Sequence, residues 1–284
     1  MEIITGKYAG FCPGVKRAWQ LVEKTVAANH GTIFILGELI HNKQAIEKLK
    51  EMGVCTIENL EEIKGKEGTV IIRAHGEPPS TFLKLSKMKK IKVVDATCHS
   101  VVHVQKLAKK LESEGYQVLV CGEKDHPEAL ATVGYTKKGQ IVCSCEDVRT
   151  TSSNKKIGVI SQTTFSSRVF DEICQLLKNK VRAFKSLGTI CSFVQTAQRE
   201  ARKIAGEVDT VLVVGGKQSS NTKRLAEVAG AITRTHHIET DSEIQKDWFE
   251  RAQKVGLLAG ASTPAWIIEK VKKRLIGVND YLRA

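Results

Sequence analysis

The chain alternates short apolar runs with longer segments in which apolar residues recur every three or four positions. Short runs bounded by glycine predict buried strands, and the longer spacing predicts amphipathic helices. The predicted helices span Pro13–Ala28, Gln44–Met52, Phe82–Lys89, Val101–Leu111, Ser167–Leu177, Val194–Ala205, Thr222–Ala229 and Pro264–Leu275. Strands alternating with helices predict an α/β fold with mostly parallel sheets covered on both faces.

A cysteine recurs three times at the end of a strand-like segment and opens a helical one. Cys12, Cys98 and Cys191 are 86 and 93 residues apart, and a valine stands three residues after each. A second apolar run follows each cysteine and ends in glycine, over Thr32–Gly37, Gln117–Gly122 and Thr210–Gly215. The spacing predicts three copies of one α/β unit, whose thiols meet on a pseudo-threefold axis and hold one metal centre.

Each copy also carries two further polar positions. Four residues after the glycines stand His41, His126 and Ser219. A third apolar run in each copy ends at His75, at Thr163 and Thr164, or at Ser262. Ligands of open parallel α/β sheets bind at the carboxyl ends of the strands, so we expect these side chains to surround one site.

The length of 284 residues fits three units of this size. We predict a first unit over 13–97, a second over 98–190 and a third over 191–284, with residues 1–12 packing at the centre or on the third unit. The apolar runs are too short for a membrane span, and no leader pattern precedes Cys12. We therefore expect a cytoplasmic protein that does not bind membranes.

The formal net charge of +13 raises the possibility of a nucleic-acid-binding protein. The lysines are spread over helix faces, aromatic residues make up only 5% of the chain, and no known nucleic-acid module is present. We expect no nucleic-acid partner. The basic surface is better suited to steering an acidic partner or an anionic ligand towards the protein.

The other five cysteines show no such repeat. A scattered cysteine in a reducing compartment is usually a small buried apolar residue, which is the interpretation for Cys55, Cys121 and Cys174. Cys143 and Cys145 form a C-x-C pair that could bind a metal, but no partner ligands for a tetrahedral zinc site lie nearby in the sequence.

Three thiolates without a fourth are typical neither of structural zinc nor of a closed cluster. A cubane iron-sulfur cluster held by three cysteines keeps one iron open, and an open iron is a Lewis acid for a substrate oxygen. The surrounding donors are neutral and suit a polyanion such as diphosphate. Glu128, two residues after His126, is the natural proton source for a leaving hydroxyl, although it could simply complement a helix dipole.

Eight motifs together carry a family resemblance, and they run in order across almost the whole chain. They are Gly10–Ala18, Ile40–Asn42, Ala74–Gly76, Asp95–Cys98, His126–Glu128, Gln162–Thr164, Ser219–Asn221 and Ala259–Ser262. As a set they resemble the signature of the 4-hydroxy-3-methylbut-2-enyl diphosphate reductases, which end the methylerythritol phosphate pathway of isoprenoid biosynthesis.

The resemblance implies a trefoil of three α/β units around a [4Fe-4S] cluster held by Cys12, Cys98 and Cys191. It implies a diphosphate site formed by His41, His75, His126, Ser219, Ser220, Asn221 and Ser262. Thr163 and Glu128 would face the substrate hydroxyl, with Glu128 as proton donor, and ferredoxin or flavodoxin would supply electrons. The implied reaction is reductive removal of the C4 hydroxyl, giving isopentenyl and dimethylallyl diphosphate.

Two segments depart from the family pattern. His99 replaces the proline that usually follows the second cysteine, and Ser192–Ala197 differs from the usual sequence after the third. Both changes predict an altered cluster potential or oxygen sensitivity. The alternative function is a non-enzymatic iron-sulfur sensor or electron carrier, although a pure carrier needs a fourth cysteine ligand and no ring of donors.

Overall fold

The computed structural model describes residues 1–28 and 31–283, with side chains described as far as residue 278. The chain begins with strand β1 (Glu2–Thr5) and helix α1 (Pro13–Ala28). It continues with β2 (Ile33–Leu36), α2 (Lys43–Glu51), β3 (Val54–Ile57), β4 (Gly68–Ile72), α3 (Pro79–Ser86) and β5 (Ile91–Asp95). Strands β2 to β5 form a parallel sheet in the order β3-β2-β4-β5.

The next part of the chain repeats this topology. It contains α4 (His99–Ser113), β6 (Gln117–Cys121), α5 (Pro127–Val133), β7 (Gln140–Val142), β8 (Lys156–Ser161), α6 (Ser167–Lys178) and β9 (Ala183–Ser186). The sheet is parallel, with strand order β7-β6-β8-β9.

The last part supplies α7 (Ser192–Ala205), β10 (Thr210–Val214), α8 (Ser220–Gly230), β11 (Arg234–Ile238), β12 (Lys254–Ala259) and α9 (Ala265–Arg283). Its sheet has the order β1-β12-β10-β11, again parallel, so the fourth strand comes from the start of the chain. The predicted α/β class with three parallel sheets is confirmed.

The three sheets explain where the cysteines fall. Each cysteine of the repeat follows the edge strand that completes a sheet: β1 precedes Cys12, β5 precedes Cys98 and β9 precedes Cys191. Each then leads into the helix that precedes the first strand of the next sheet. The repeat read from the sequence is therefore a repeat of topology.

Spatial proximity divides the chain into two compact units. Unit 1 contains Met1–Lys16, Ile40–Lys48 and Ser192–Ala284, and unit 2 contains Arg17–Leu39 and Leu49–Cys191. The boundaries 13–97, 98–190 and 191–284 stay a prediction. In the described part of the chain, no helix is both long enough and apolar enough to cross a membrane.

Strand β10 shows why the sheets are buried on both faces. Its residues Leu212 and Val214 belong to one apolar cluster with α9, while Val211 and Val213 belong to another with α7 and α8. Because side chains alternate along a strand, the continuous run TVLVV fills both cores.

Most helix boundaries differ from the sequence prediction by one or two residues, and the largest differences are in α3 and α9. Helix α3 starts three residues earlier than predicted because Pro79 takes its first position, where a missing N–H costs nothing. Helix α9 continues past Leu275 to Arg283, since its apolar face persists through Val278. Helix α1 has the predicted bounds.

Candidate active site

The three cysteines of the repeat are held in equivalent ways. The backbone N–H of Cys12 donates to the carbonyl of Ala261 at 3.0 Å, that of Cys98 to Ala74 at 3.0 Å, and that of Cys191 to Thr163 at 2.9 Å. Each carbonyl belongs to the loop that follows the third strand of a sheet. Thr163 is itself a predicted substrate-binding residue, while Ala74 and Ala261 directly precede His75 and Ser262. Each cysteine is thereby fixed beside one member of the donor set.

All three thiols suit a soft metal group. None of them is in a disulfide, all are partly exposed, and each immediately precedes a helix, with Cys98 as the N-cap of α4. The N–H of Val15 donates to the Cys12 sulfur at 3.4 Å. Free amides at a helix N-terminus favour a negatively charged ligand such as thiolate.

Glu128 is a buried carboxyl group of unit 2 with a raised pKa. Its side chain is buried, with 3% of the residue exposed, and its carboxylate accepts hydrogen bonds from Thr163 N–H at 2.6 Å and from Thr163 Oγ1 at 2.8 Å. Burial raises the pKa of Glu128 to about 7, and the two hydrogen bonds from Thr163 oppose that rise. The carboxyl group therefore exchanges its proton near neutral pH, as a general acid must.

His126 is the N-cap of α5, and its Nδ1 accepts a hydrogen bond from the backbone N–H of Glu128 at 3.1 Å. Since Nδ1 is an acceptor, a neutral His126 carries its proton on Nε2 and can donate it to a ligand. The ring of His75 lies edge-on to that of His126, with 5.4 Å between centroids. The structure thus brings His75, His126, Glu128 and Thr163 together within unit 2.

A second group of predicted residues lies together in unit 1. Ser219 is the N-cap of α8, and Ser220 and Asn221 form its first turn. The hydroxyl of Ser262 makes long contacts to the carbonyl of His41 at 3.4 Å and to Ser219 Oγ at 3.5 Å. Four polar residues here are at least nine-tenths buried, namely Ser219, Ser220, Asn221 and Ser262. Such burial is rare for hydroxyl and amide groups without a role.

Asn221 carries a buried side-chain amide that the described part of the protein does not pair. Its amide oxygen and nitrogen are both buried and have no hydrogen-bond partner among the described residues. Leaving a buried amide unpaired costs about 1–3 kcal/mol for each group, so such a group is expected to be paired by something that binds. The N-terminus of α8 beside it favours an anion.

Gln162 lies in the Gln162–Thr164 motif, but the sequence alone predicts no function for its side chain. Its Oε1 accepts from the N–H of Glu123 at 3.1 Å, and its Nε2 donates to Thr164 Oγ1 at 2.8 Å. It therefore ties the loop that carries His126 to the loop that carries Thr163. These hydrogen bonds depend on which loops lie close together in the fold, and no sequence pattern predicts them.

The five remaining cysteines divide between core and surface. Cys121 is buried and Cys174 half-buried, and burial raises the pKa of both thiols, that of Cys174 to about 11. The interpretation of Cys55 as a buried residue is wrong, because β3 is an edge strand and the Cys55 side chain is exposed. Cys143 donates its S–H to the carbonyl of Gly122 at 3.0 Å, so its contact is with the backbone.

The sequence model of the LytB protein family matches residues 3–276. The chain belongs to the LytB family. Among the relatives of this LytB chain, the 4-hydroxy-3-methylbut-2-enyl diphosphate reductase of Aquifex aeolicus is 41% identical, over 97% of this chain and 96% of that protein. The enzyme of the same name from Geotalea daltonii is 43% identical, over 97% of both chains.

Two solved structures also match the LytB chain. One is described as (E)-4-hydroxy-3-methyl-but-2-enyl diphosphate reductase, the terminal enzyme of the non-mevalonate pathway; it is 41% identical with a TM-score of 0.75, over 98% of this chain and all of that one. The other, the E-1-hydroxy-2-methyl-but-2-enyl-4-diphosphate reductase of Plasmodium falciparum, is 28% identical with a TM-score of 0.89, over 96% and 87% of the two chains. The resemblance predicted from the motifs is confirmed, and this LytB chain belongs to a family of reductase enzymes.

Proposed function

We propose that this LytB-family protein is a 4-hydroxy-3-methylbut-2-enyl diphosphate reductase. It removes the C4 hydroxyl of its substrate with two electrons and two protons, and releases water with isopentenyl or dimethylallyl diphosphate. The observation that carries the proposal is the buried carboxyl of Glu128, held on Thr163 with a pKa near 7. Its place in a family of enzymes with that name supports the substrate.

The thiols of Cys12, Cys98 and Cys191 would hold a [4Fe-4S] cluster. They fit the group because they are partly exposed thiols outside any disulfide, and they lie at helix N-termini, where a thiolate is stabilised. When bound, such a cluster supplies electrons and a Lewis-acidic iron without a cysteine ligand. A fourth cysteine with the same setting is absent from the described part of the chain, because none of the other five directly precedes an α-helix.

The diphosphate would be held by neutral donors. The predicted ligands are His41, His75, His126, Ser219, Ser220, Asn221 and Ser262. The buried unpaired amide of Asn221 and the N-terminus of α8 support this assignment in unit 1. In unit 2, the Nε2–H of a neutral His126 is oriented by the bond between its Nδ1 and the N–H of Glu128.

Glu128 would act as the general acid. A protonated carboxyl can pass its proton to the leaving hydroxyl, which then departs as water. The Thr163 hydroxyl shares a hydrogen bond with that carboxylate at 2.8 Å, so it can relay the proton and orient the substrate oxygen. The low local polarity that raises the pKa of Glu128 also keeps the proton available near neutral pH.

The same proposal assigns ferredoxin or flavodoxin as electron donor and the cytoplasm as the compartment. Eight cysteines with no disulfide among them support a reducing compartment, where disulfides are rare. The net charge of +13 supports an acidic protein partner.

Anaerobic purification followed by iron and sulfide counting, Mössbauer spectroscopy and a turnover assay tests the proposal. We expect four irons and four sulfides per chain, one iron that is perturbed by substrate, and release of the two isoprenoid diphosphates. Single Cys→Ala changes at positions 12, 98 and 191 should lower the iron content, while Cys55→Ala, on the exposed edge strand, should not. Zinc in place of iron would refute the cofactor.

Glu128→Gln separates the enzyme from the alternative of an iron-sulfur sensor or electron carrier. The amide keeps the shape of the side chain but has no acidic proton, so turnover should collapse while the visible spectrum of the cluster stays the same. Unchanged turnover in this variant would reject the acid role.

A further inference from the structure

Aromatic side chains are concentrated around the segment that leads to Cys12. The whole chain has three Trp, four Tyr and eight Phe, yet four of these residues border this one segment. Tyr8 meets Phe193 edge-to-face with 5.5 Å between ring centroids, and Phe11 meets Trp266 at 6.4 Å. We call Tyr8, Phe11, Phe193 and Trp266 the aromatic patch, and all four lie in unit 1.

The aromatic patch is only partly covered. Trp266 is 37% exposed, and the other three rings are partly exposed. Most of the large apolar side chains of this protein are buried in cores, whereas these two incompletely covered ring pairs are both anchored on the short segment from Tyr8 to Phe11. Clustered exposed apolar surface marks interaction sites more often than single exposed residues do.

The segment under the aromatic patch is firmly held. The N–H groups of Lys7 and Tyr8 both donate to the carboxylate of Glu200 on α7, at 2.9 and 3.0 Å. The N–H of Cys12 bonds to Ala261, and a Cβ on Gly10 would lie 3.2 Å from Ile268 of α9. The rings are therefore carried by a preorganised surface, which lowers the entropy lost when a partner binds.

Lysines border the aromatic patch. Lys7 and Lys16 flank the segment in sequence, while Lys270 and Lys273 follow Trp266 by one and two turns of α9, and all four are exposed. Within residues 1–28 and 31–278, none of these ammonium groups is paired with a carboxylate. An apolar centre with a positive rim suits an acidic protein surface.

We propose that the aromatic patch and these four lysines form the docking face for an acidic electron-carrier protein. This inference rests on the proposed function, because electrons delivered here arrive beside Cys12, a proposed cluster ligand. Each turnover takes two electrons, supplied by two one-electron carriers that are oxidised in turn, while the two protons come from solvent and Glu128. Encounters between redox proteins bury little surface, so a patch of four rings is large enough.

Comparison of two electron sources tests the proposal on the anaerobic holoenzyme. Trp266→Ala, Lys270→Glu and Lys273→Glu should each raise the KM for a reduced [2Fe-2S] ferredoxin about tenfold, as expected for an anchor and for rim charges of an interface. With dithionite, a small reductant that needs no docking face, turnover by the same variants should equal that of the unmodified protein. Raised salt should increase the ferredoxin KM of the unmodified protein more than that of Lys270→Glu.

Matched controls exist on the same chain. Ile276→Ala removes a side chain that is 47% exposed on the same helix, and Lys89→Glu reverses an exposed charge outside the patch. Both should leave the ferredoxin KM unchanged. Unaltered ferredoxin kinetics in all three patch variants, or an equal loss with ferredoxin and dithionite, would overturn the docking face.

Failure of the proposed function gives a different result. If the unmodified holoenzyme does not turn over with dithionite, the reductase assignment fails while docking can still be measured by calorimetric titration with oxidised ferredoxin. Binding that weakens about tenfold in Trp266→Ala and not in Ile276→Ala then supports the docking face, and equal binding rejects it.

Discussion

The carboxylate of Glu128 accepts two hydrogen bonds from one residue, Thr163, through its backbone N–H at 2.6 Å and its hydroxyl at 2.8 Å. Glu128 lies in the first turn of α5 and Thr163 follows β8, so this pair joins two loops of the candidate site. Burial raises the pKa of the carboxyl group and the two hydrogen bonds from Thr163 lower it, so that the pKa of Glu128 is about 7.

Activity should decline on the alkaline side of this pKa. Because the acid must carry a proton, we expect kcat/KM to fall tenfold for each pH unit above about 7. Thr163→Val removes one of the hydrogen bonds that lower the pKa of Glu128, so the decline should move to higher pH. The pH profile of kcat/KM measures this, with Glu269→Gln on the exposed face of α9 as control. An unchanged pH profile of kcat/KM in Thr163→Val would contradict the claim that the Thr163 hydroxyl lowers the pKa of Glu128.

Stability should depend on the same proton. The pKa of Glu128 is about 7 in the folded protein against an ordinary 4.5, so the folded state binds the proton more tightly than the unfolded state. The resulting stabilisation is fully present below about pH 4.5 and is lost as the pH rises through about 7. Its size is about 3 kcal/mol, from roughly 1.4 kcal/mol for each pKa unit.

Urea unfolding of the metal-free protein at pH 5 and pH 8 tests this dependence. Glu128→Gln carries no charge at either pH, so it should become more stable relative to the unmodified protein as the pH rises. The comparison uses the difference between the two proteins, which removes the contribution of every other titrating group. A difference that stays constant between the two pH values would show that Glu128 is already ionised at pH 5.

The sequence indicated the central strands better than the edge strands. Runs such as Thr210–Val214 are buried on both faces and stand out as continuous apolar segments. Strands β3, β7 and β11 each lie at a sheet edge, and their partly exposed residues include Cys55, Gln140 and His236. A short, half-exposed strand has no strong hydrophobic pattern, which is why these three were not predicted.

The site shows the same division between local and spatial information. The cysteines, His126 and Ser219 were found because they occupy equivalent places in a repeat. The hydrogen bond between Thr163 and Glu128 joins residues 35 positions apart, and that between Glu123 and Gln162 joins residues 39 positions apart. Both depend on loops that come together only in the folded protein. Strand order decides such contacts, and the sequence pattern did not give that order.

Gln162 should act as a positioning residue for these loops. Gln162→Met keeps the volume of this buried side chain but removes its hydrogen bonds to Glu123 and Thr164. We expect kcat to fall roughly ten- to a hundredfold, because small displacements of catalytic groups have effects of that order. The pH profile should also shift, since Thr163 stands between Gln162 and Thr164 and its hydrogen bonds lower the pKa of Glu128 that burial has raised.

The exposed Gln140 provides the control for Gln162. Gln140→Met removes a hydrogen bond to Gln117 at a sheet edge of the same unit and should leave kcat and the pH profile unchanged. A loss of stability in Gln162→Met with an unmoved pH profile would reduce Gln162 to a purely structural role.

Gly216 offers a test of His41 that substitutes none of the proposed ligands. A Cβ at position 216 would lie 2.5 Å from the carbonyl oxygen of His41, and a backbone atom yields less readily than the end of a flexible side chain. Gly216→Ala should therefore displace His41 and weaken binding of inorganic diphosphate about tenfold, equivalent to about 1.4 kcal/mol. Gly206→Ala is the matched change in the same unit, because its nearest neighbour would be at an ordinary 3.5 Å. Calorimetric titration of both variants with diphosphate measures the effect, and equal affinities would remove His41 from the proposed anion site.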